Sequence, residues 1–330
     1  MSYVLNGSAR LDNFSIETVE RVRAAAAELA YTPDAAARAL RKGASGVVLL
    51  TLPDLPLSGS FSRQLSGLSD AVSGSGRSLP TWSIGPGVHL TQILRDISPR
   101  AILEFVPLPE DDRKAAVAAG IPIMSVTEPI DLDHTIGRLQ VVHLARAGHR
   151  RLGLVTVEDP RVAVFTGPRR DGAVEAVVTL GLPLPLELRI GRRDAVAVLG
   201  FGLPLEHVRG GPDDAVVWKI AETLRAWNAG TDPVTAICCF NDMFAGLVIA
   251  AARCASLKVP EDLSVIGVDD EPLGGLLQPR LTTARYDYET ATAYAGARIQ
   301  ATLDGKPALR PPSSDLIEVI ERESVAPLHP

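Results

Sequence analysis

The residue types that could carry out catalysis in this 330-residue chain do not occur at the spacings of known catalytic motifs. Its six histidines include no H-E-x-x-H pair and no other spacing that holds a metal on one helix face. The sequence contains neither a G-x-S-x-G nucleophile elbow nor a phosphate-binding P-loop. Gly200-Phe201-Gly202 lacks the third glycine and the strand-turn-helix context of a dinucleotide site. We therefore expect a protein that is not an enzyme and needs no cofactor.

The cysteines and the paired carboxylates likewise give little indication of a metal site. Cys238 and Cys239 are adjacent within an apolar run, and Cys254 follows without a C-x-x-C spacing. This odd set predicts reduced, buried thiols and no zinc site. Asp269 and Asp270 are adjacent but have no third ligand nearby in the sequence, so they are a weak indication of a metal site. We expect no bound metal.

Composition and charge restrict the class of protein. A hydrophobic content of 46% and a charged content of 22% are ordinary globular values, and the length predicts two to three folding units. The net charge of -6 argues against indiscriminate nucleic-acid binding, although residues 1–45, with six basic and five acidic side chains, are slightly basic. No apolar run reaches the ~18 residues that span a bilayer, and the N-terminus does not resemble a secretory signal. We expect a cytoplasmic protein without membrane contact.

Two helices are predicted near the N-terminus. Ser15 is a good N-cap, and apolar residues follow it at three- and four-residue spacing as far as Leu29. Pro33 ends that pattern and begins a second short helix over residues 33–42, which Gly43 terminates. The second helix has so little apolar surface that it needs a partner to be stable. One interpretation of it is an interdomain linker helix.

From residue 46 onward, short apolar runs alternate with helical patterns, the rhythm of a parallel sheet covered on both faces. The predicted strands are Gly46–Leu52, Ala101–Phe105, Ile121–Val126, Arg151–Val157, Thr235–Cys239 and Ser264–Val268. The predicted helices are Phe61–Val72, Asp111–Ala119, Gly137–Ala147, Asp171–Leu180, Asp214–Trp227 and Met243–Ala255.

Specific motifs occur along the whole chain. The N-terminal part contains VLNG at residues 4–7 and ARALR at residues 37–41. The C-terminal part contains NDMFA at residues 241–245 and VPEDLSVIGVDD at residues 259–270. Together these motifs resemble the LacI/GalR (lactose-repressor) family of transcription regulators.

The resemblance implies an α/β fold. It consists of a two-lobed periplasmic-binding-protein-like body, with parallel sheets flanked by helices, and a truncated N-terminal helical DNA-binding headpiece. In that family the two lobes are joined by three crossings, with ligand bound between them at the carboxyl ends of the strands. We expect the headpiece and hinge helix over 1–45 and the effector-binding body over 46–330, with lobe one at about 46–148 and 286–306 and lobe two at about 149–285 and 307–330.

The resemblance also implies how DNA is contacted. Leu40 corresponds to the hinge residue that wedges into a minor-groove step and kinks the operator. Ser2 and Tyr3 correspond to the last turn of the recognition helix, and Asn6 to a phosphate contact. The full set of expected DNA-binding residues is Ser2, Tyr3, Asn6, Tyr31, Ala37, Leu40 and Arg41. Most of the helix-turn-helix that precedes these residues in the family is not in this sequence, so we expect a headpiece without its front end.

The residues expected to bind the effector follow from the same correspondence. Arg169 matches the arginine that reaches into the cleft, where its fork of donors suits vicinal hydroxyls or a carboxylate. Asp269 matches an acid that accepts hydroxyl bonds. Asn241 offers a donor and an acceptor, and Phe240 and Phe61 offer apolar surface for a sugar face. The alternatives are a solvated neighbour of Arg170 and Asp171 for Arg169, a loop cap for Asp269 and simple helix-start packing for Phe61.

These features predict a DNA-binding transcriptional regulator, a repressor, acting as a homodimer on a pseudo-palindromic operator. Its effector is a small molecule, by family default a sugar or related metabolite. Three other hypotheses stay open: a cytoplasmic ligand-binding sensor without operator binding, a solute-binding protein of an importer, and an enzyme on an α/β scaffold, which turnover of a candidate sugar would support.

Overall fold

A computed structural model describes a short N-terminal helix followed by a two-part α/β body. The described residues are 4, 14–29, 45–54, 59–85, 89–126, 132–192, 194–195, 214–307, 309 and 316–328. Helix α1, Ile16–Glu28, begins as the sequence predicts: the hydroxyl of Ser15 accepts a hydrogen bond from the backbone N–H of Thr18. The predicted second helix, residues 33–42, and all seven expected DNA-binding residues lie outside the described residues.

The first part of the body is a four-stranded parallel sheet in the order β2-β1-β3-β4. Its elements in chain order are β1 Val48–Pro53, α2 Gly59–Ser73, β2 Thr81–Ile84, α3 Leu90–Ile97, β3 Ala101–Glu104, α4 Glu110–Ala118 and β4 Ile123–Ser125. Strand β1 is buried along its whole length because helices cover both faces of the sheet. Leu49 packs with Leu90 and Leu94 on one face, whereas Leu50 packs with Val72 on the other.

The second part is a six-stranded sheet in the order β10-β9-β8-β7-β5-β6, in which only β10 runs antiparallel to its neighbour among the described strands. Its elements are α5 Leu132–Arg146, β5 Leu152–Glu158, α6 Ala163–Thr179, β6 Leu186–Gly191, α7 Asp214–Asn228, β7 Ala236–Cys239, α8 Asp242–Cys254, β8 Ser264–Val268, β9 Thr282–Tyr286 and β10 Ile317–Ile320. Cys238 and Cys239 are buried free thiols in β7, and Cys254 is a partly buried free thiol.

The chain returns to the first sheet after β9. Helix α9, Tyr288–Leu303, packs against α2, and the approach is close because Gly67 faces Thr292 and Gly296 faces Ala71. The chain then goes back to the six-stranded sheet as β10.

Helix α5 lies in the second part. The expected lobe boundary near Gly148 follows α5, whereas Val141 and Leu144 of α5 pack with Leu152 and Leu154 of the six-stranded sheet. The physical reason is that the buried side of α5 packs on β7, β9 and β10 of the six-stranded sheet. The predicted two-lobed α/β architecture itself is confirmed.

Candidate ligand-binding cleft

A cleft lies where the carboxyl ends of the strands of both sheets meet. Pro53 ends β1 and Phe105 follows β3 on one side, while Phe240 follows β7 and Asp269 follows β8 on the other. The cleft has a volume of about 150 Å³. Its lining residues are Pro53, Ser60, Phe61, Gln64, Phe105, Leu132, Asp133, Ile136, Val157, Asp159, Val162, Phe165, Arg169, Ala195, Phe240, Asn241, Asp269, Tyr286 and Tyr288. All five residues that the sequence suggests for effector binding are among them.

Arg169 is the buried cation of the cleft. Its Nε donates to Oδ1 of Asp133 at 2.6 Å, and its Nη1 donates to the carbonyl oxygen of Phe240 at 2.6 Å. The guanidinium carbon lies 4.9 Å from the centre of the Phe240 ring, a cation–π contact. The solvated alternative does not fit, because only 15% of the Arg169 side chain is exposed, whereas Arg170 is 41% exposed and pairs with Glu187.

Two glycines allow Arg169 to meet Asp133. A Cβ atom on Gly137 of α5 would lie 1.8 Å from the carbonyl oxygen of Arg169. A Cβ on Gly172 of α6 would lie 1.9 Å from the carbonyl oxygen of His134. The two helix backbones therefore touch directly, and this contact brings the side chains that carry opposite charges into hydrogen-bond range.

Asp269 occupies a left-handed backbone position with φ of 101°, which is strained for a residue with a side chain. Its backbone N–H donates to the carbonyl oxygen of Ala284 at 2.9 Å, and its Oδ1 accepts from the hydroxyl of Tyr288 at 3.4 Å. Burial raises the pKa of the Asp269 carboxyl, although the charge of Arg169 opposes that shift. Arg169 responds in the opposite sense: burial lowers its pKa, but Asp133 and Asp269 more than compensate, so the guanidinium stays charged.

Asp242 anchors the loop that carries Asp269 through two hydrogen bonds. The Asp242 carboxyl is 2% exposed and contacts the hydroxyl of Thr283 at 2.6 Å and the backbone N–H of Glu271 at 2.7 Å. Burial raises the pKa of Asp242 to about 8, so the carboxyl is largely protonated at neutral pH.

Among the described residues, three hydrogen bonds to backbone groups cross the cleft from one sheet to the other. Oε1 of Glu271 accepts from the backbone N–H of Ser60 at 2.6 Å, at the start of α2. Nη2 of Arg63 donates to the carbonyl oxygen of Asp269 at 3.3 Å. On the far side, Nη1 of Arg161 donates to the carbonyl oxygen of Asp54 at 3.0 Å. We name these three bonds the cleft latch.

Three phenylalanines form an aromatic cluster across the cleft. The rings of Phe61 and Phe105 are 4.4 Å apart in an edge-to-face arrangement, and Phe165 from α6 lies 6.1 Å from Phe105. Phe61 thus packs at a helix start and also lines the cleft, so both interpretations of it are compatible with the structure.

Asn241 is the N-cap of α8: its Oδ1 accepts from the backbone N–H of Phe244 at 3.2 Å. Its role is therefore at least partly structural. Asp159 is also held by the protein, because Arg161 donates to both of its carboxylate oxygens and lowers its pKa despite burial.

Several cleft residues were not identified from the sequence. Asp133, Asp159 and Phe165 carry no recognisable motif, although Phe165 lies one turn before Arg169 on α6. Tyr286 and Tyr288 were detectable, because they end and follow β9 at the same sheet edge as Asp269. Within the described parts of the chain, no group of three or more His, Cys, Asp or Glu side chains could hold a metal. In those same parts no helix has the length and apolarity to cross a membrane.

Comparison with known families supports the fold. Residues 141–325 match the periplasmic binding protein-like domain, which is more than half of the chain. The chain belongs to this family. Its curated relatives are HTH-type transcriptional regulators, which confirms the LacI/GalR resemblance.

Two relatives illustrate the extent of the similarity. The chain is 29% identical over 199 residues to the transcriptional regulator reg1 of Streptomyces lividans, covering 59% of this chain and 50% of that protein. It is 26% identical over 306 residues to DegA of Bacillus subtilis (strain 168), covering 86% of this chain and 81% of DegA. The match thus spans about half the length of one relative and four-fifths of the other.

Two solved structures share the fold of this periplasmic binding protein-like chain. The Lac repressor dimer bound to operator and the anti-inducer ONPF has a TM-score of 0.74 at 20% identity, covering 98% of this chain and 94% of that one. The transcriptional regulator CelR in complex with cellobiose has a TM-score of 0.63 at 19% identity, with the same two coverages, 98% and 94%.

Proposed function

We propose that this protein is a DNA-binding transcriptional repressor whose operator affinity is set by a small molecule bound in the cleft. The observation that carries this proposal is the buried Arg169, held between Asp133 and Asp269 in a cleft between two α/β lobes. Such convergent charged groups in a largely apolar cleft are typical of a ligand site. The chain's relatives are transcriptional regulators, which makes control of DNA binding the role of that ligand.

The cleft latch suggests how the ligand acts. Glu271 and Asp269 lie on one lobe and bond to Ser60 and Arg63 of the other, directly beside the lining residues. A ligand that contacts both lobes changes the equilibrium between open and closed arrangements only by its difference in affinity for the two. Coupling of ~1–3 kcal/mol, typical of allosteric proteins, changes operator affinity ~5–150-fold.

On the DNA side, the proposal is a homodimer in which each headpiece contacts one half of a pseudo-palindromic operator. Leu40 wedges into the minor groove from a hinge helix that orders on DNA. The effector class to test first is a sugar or related metabolite, because CelR binds cellobiose and the sequence resembles this family.

The first experiment selects DNA from a random pseudo-palindromic library and measures retention of the selected site in a gel shift. We expect a retained site whose affinity changes when the cleft is occupied. A chain that binds cleft ligands but retains no DNA would contradict the repressor and favour the sensor hypothesis.

The hinge is tested by Leu40→Ala. We expect the substitution to weaken operator binding and reduce DNA bending, while ligand-induced thermal stabilisation is unchanged. Leu276→Ala is the control, because Leu276 is 80% exposed on the body of the protein. Unchanged bending in Leu40→Ala would remove Leu40 from the hinge.

A further inference from the structure

We propose that the effector is a small aromatic compound that carries a hydrogen-bond donor and no negative charge. This inference rests on the proposed function, because it names the ligand of the same cleft. It departs from the family default of a free sugar.

The first argument is the concentration of aromatic side chains. The chain is poor in aromatics, yet four of its seven phenylalanines and two of its five tyrosines line this cleft. Leu132, Ile136, Val157 and Val162 add aliphatic surface to the same cleft. These side chains offer a ligand ring dispersion contacts and the burial of apolar surface.

The second argument is the arrangement of the rings. Phe61 and Phe105 come from the first lobe and Phe165 from the second, and neighbouring rings in this cluster meet edge-to-face or tilted. Aromatic side chains prefer these geometries to a face-to-face sandwich. A ligand ring in the cleft can therefore pack against the cluster edge-to-face or tilted.

Size gives the third argument. The cleft has a volume of about 150 Å³, which is similar to that of a cavity that holds one benzene-sized ring. This volume is compatible with a ligand built on a single six-membered ring.

Several polar groups of the cleft already bond to the protein. Arg169 donates to Asp133 and to a backbone carbonyl, and the carboxylate of Asp159 is bonded to Arg161 through both oxygens. Asn241 uses its amide oxygen as a helix cap. A free hexose carries a hydroxyl on nearly every carbon, and each buried hydroxyl without a partner weakens binding.

The charged groups of the cleft predict the charge of the ligand. Arg161 pairs with Asp159, whereas Arg169 is shared between Asp133, to which it donates, and Asp269, so among the described lining residues the Asp269 carboxyl has only a share of one cation. A carboxyl in that position accepts a hydrogen bond from a hydroxyl or an ammonium group and repels a carboxylate. The ligand is therefore neutral or cationic.

The test is calorimetric titration of the purified full chain with five small probes. 4-Hydroxybenzyl alcohol and tyramine carry the aromatic ring with a neutral or a cationic donor, benzoate carries the ring with a negative charge, and D-glucose and D-galactose are free hexoses. We expect at least one donor-bearing aromatic probe to bind at least tenfold more tightly than either hexose, and benzoate to bind no more tightly than the hexoses. Tighter binding of a hexose, equal binding of benzoate, or no binding of either donor-bearing aromatic probe would overturn the inference.

Substitutions locate the binding. Phe105→Leu should weaken aromatic binding at least tenfold, and Phe61→Leu provides the same test if the first variant does not fold. Phe14→Leu is the matched control, because Phe14 is 40% exposed beside α1 and does not line the cleft. Equal loss in the control, or no loss in either cleft variant, would place the aromatic probe elsewhere.

Asp269→Asn should abolish any preference for tyramine over 4-hydroxybenzyl alcohol. Asp270→Asn is its control, because Asp270 pairs with Arg322 and does not line the cleft. A preference that persists in Asp269→Asn contradicts the assigned acceptor.

Failure of this inference is distinguishable from failure of the proposed function. If a hexose changes operator retention and the aromatic probes do not, the repressor proposal stands and the aromatic ligand is wrong. If aromatic probes bind with the expected selectivity but no operator is retained, the ligand class stands and the repressor proposal is wrong.

Discussion

The two walls of the cleft differ in chemistry. Among the described lining residues, the four-stranded lobe presents Pro53, Phe61 and Phe105 and no charged side chain, whereas the six-stranded lobe presents all the charged ones, including Asp133, Arg169 and Asp269. We therefore expect charged and strongly hydrogen-bonding groups of a ligand to contact the six-stranded lobe. A ligand contacts both walls only when the two lobes are close together. Its selectivity therefore depends on closure of the cleft.

The largest effect is expected from removing the cation of the charged wall. Arg169→Ala leaves Asp133 and Asp269 without their counter-charge in a mostly buried site, and breaking a buried pair in this way costs about 3–5 kcal/mol of unfolding free energy. We also expect ligand-induced thermal stabilisation to disappear. Denaturant unfolding and thermal shift, each with and without ligand, measure the two effects.

Arg170→Ala is the control for that substitution. Arg170 is 41% exposed and pairs with Glu187, so its loss should cost no more than about 1 kcal/mol and leave ligand binding intact. A full ligand-induced shift in Arg169→Ala would separate Arg169 from the binding wall.

The free energy of unfolding should also depend on pH through Asp242, which anchors the loop that carries Asp269. The folded-state pKa of Asp242 is about 8 against an ordinary value of 3.8, so the folded protein holds a proton there that the unfolded chain releases. Stability from this group is therefore fully present below about pH 4 and falls as pH rises towards 8, by at most about 1.4 kcal/mol per pH unit.

Asp242→Asn tests that dependence, because an amide has no titratable proton and its oxygen can still accept from the Thr283 hydroxyl or the Glu271 N–H. We expect a variant as stable as the original protein near pH 5 and with a flatter decline up to pH 8. Asp111→Asn, at an exposed position on α4, is the control. An identical decline in Asp242→Asn and the original protein would show that the proton is held elsewhere.

The smallest effect is expected at the cleft latch, where Glu271 bonds to the other lobe. Glu271→Gln keeps an acceptor oxygen for the Ser60 N–H but removes the charge that assists the bond at the start of α2. We expect a loss of about 0.5–1 kcal/mol and faster hydrogen exchange of the Ser60 amide. Glu261→Gln is the exposed control, and an unaltered Ser60 exchange rate would mean that the cleft latch does not hold the lobes.

Strands could be predicted from the sequence where they are apolar along their length. The six predicted strands correspond to β1, β3, β4, β5, β7 and β8, and most of these are parallel strands covered on both faces that appear as continuous apolar runs. Strands β2, β6, β9 and β10 were not predicted: β2 alternates between exposed and half-buried positions at a sheet edge, and β9 is buried but has the sequence TTARY, which is not an apolar run. Helix α6 begins at Ala163 and not at Asp171, since Pro168 interrupts the pattern without ending the helix.

The cleft was predictable only in part. Arg169 and Asp269 lie in or beside motifs, so a resemblance could place them. Asp133 could not be paired with Arg169 from the sequence, because 36 positions separate the two residues and only the packing of α5 on α6 brings them together. Phe165 likewise joins Phe105 through the approach of the two lobes and not through spacing.

The close approach of α5 and α6 at Gly137 and Gly172 provides a marker for recognising other chains with this cleft. A methyl group at either position would push α5 and α6 apart and separate Asp133 from Arg169, without altering any residue that touches the ligand. A related chain that keeps the arginine but has a larger residue at one of these glycines should therefore recognise a different molecule. Sorting such chains by their two glycines, and not by the arginine, would group them by what they bind.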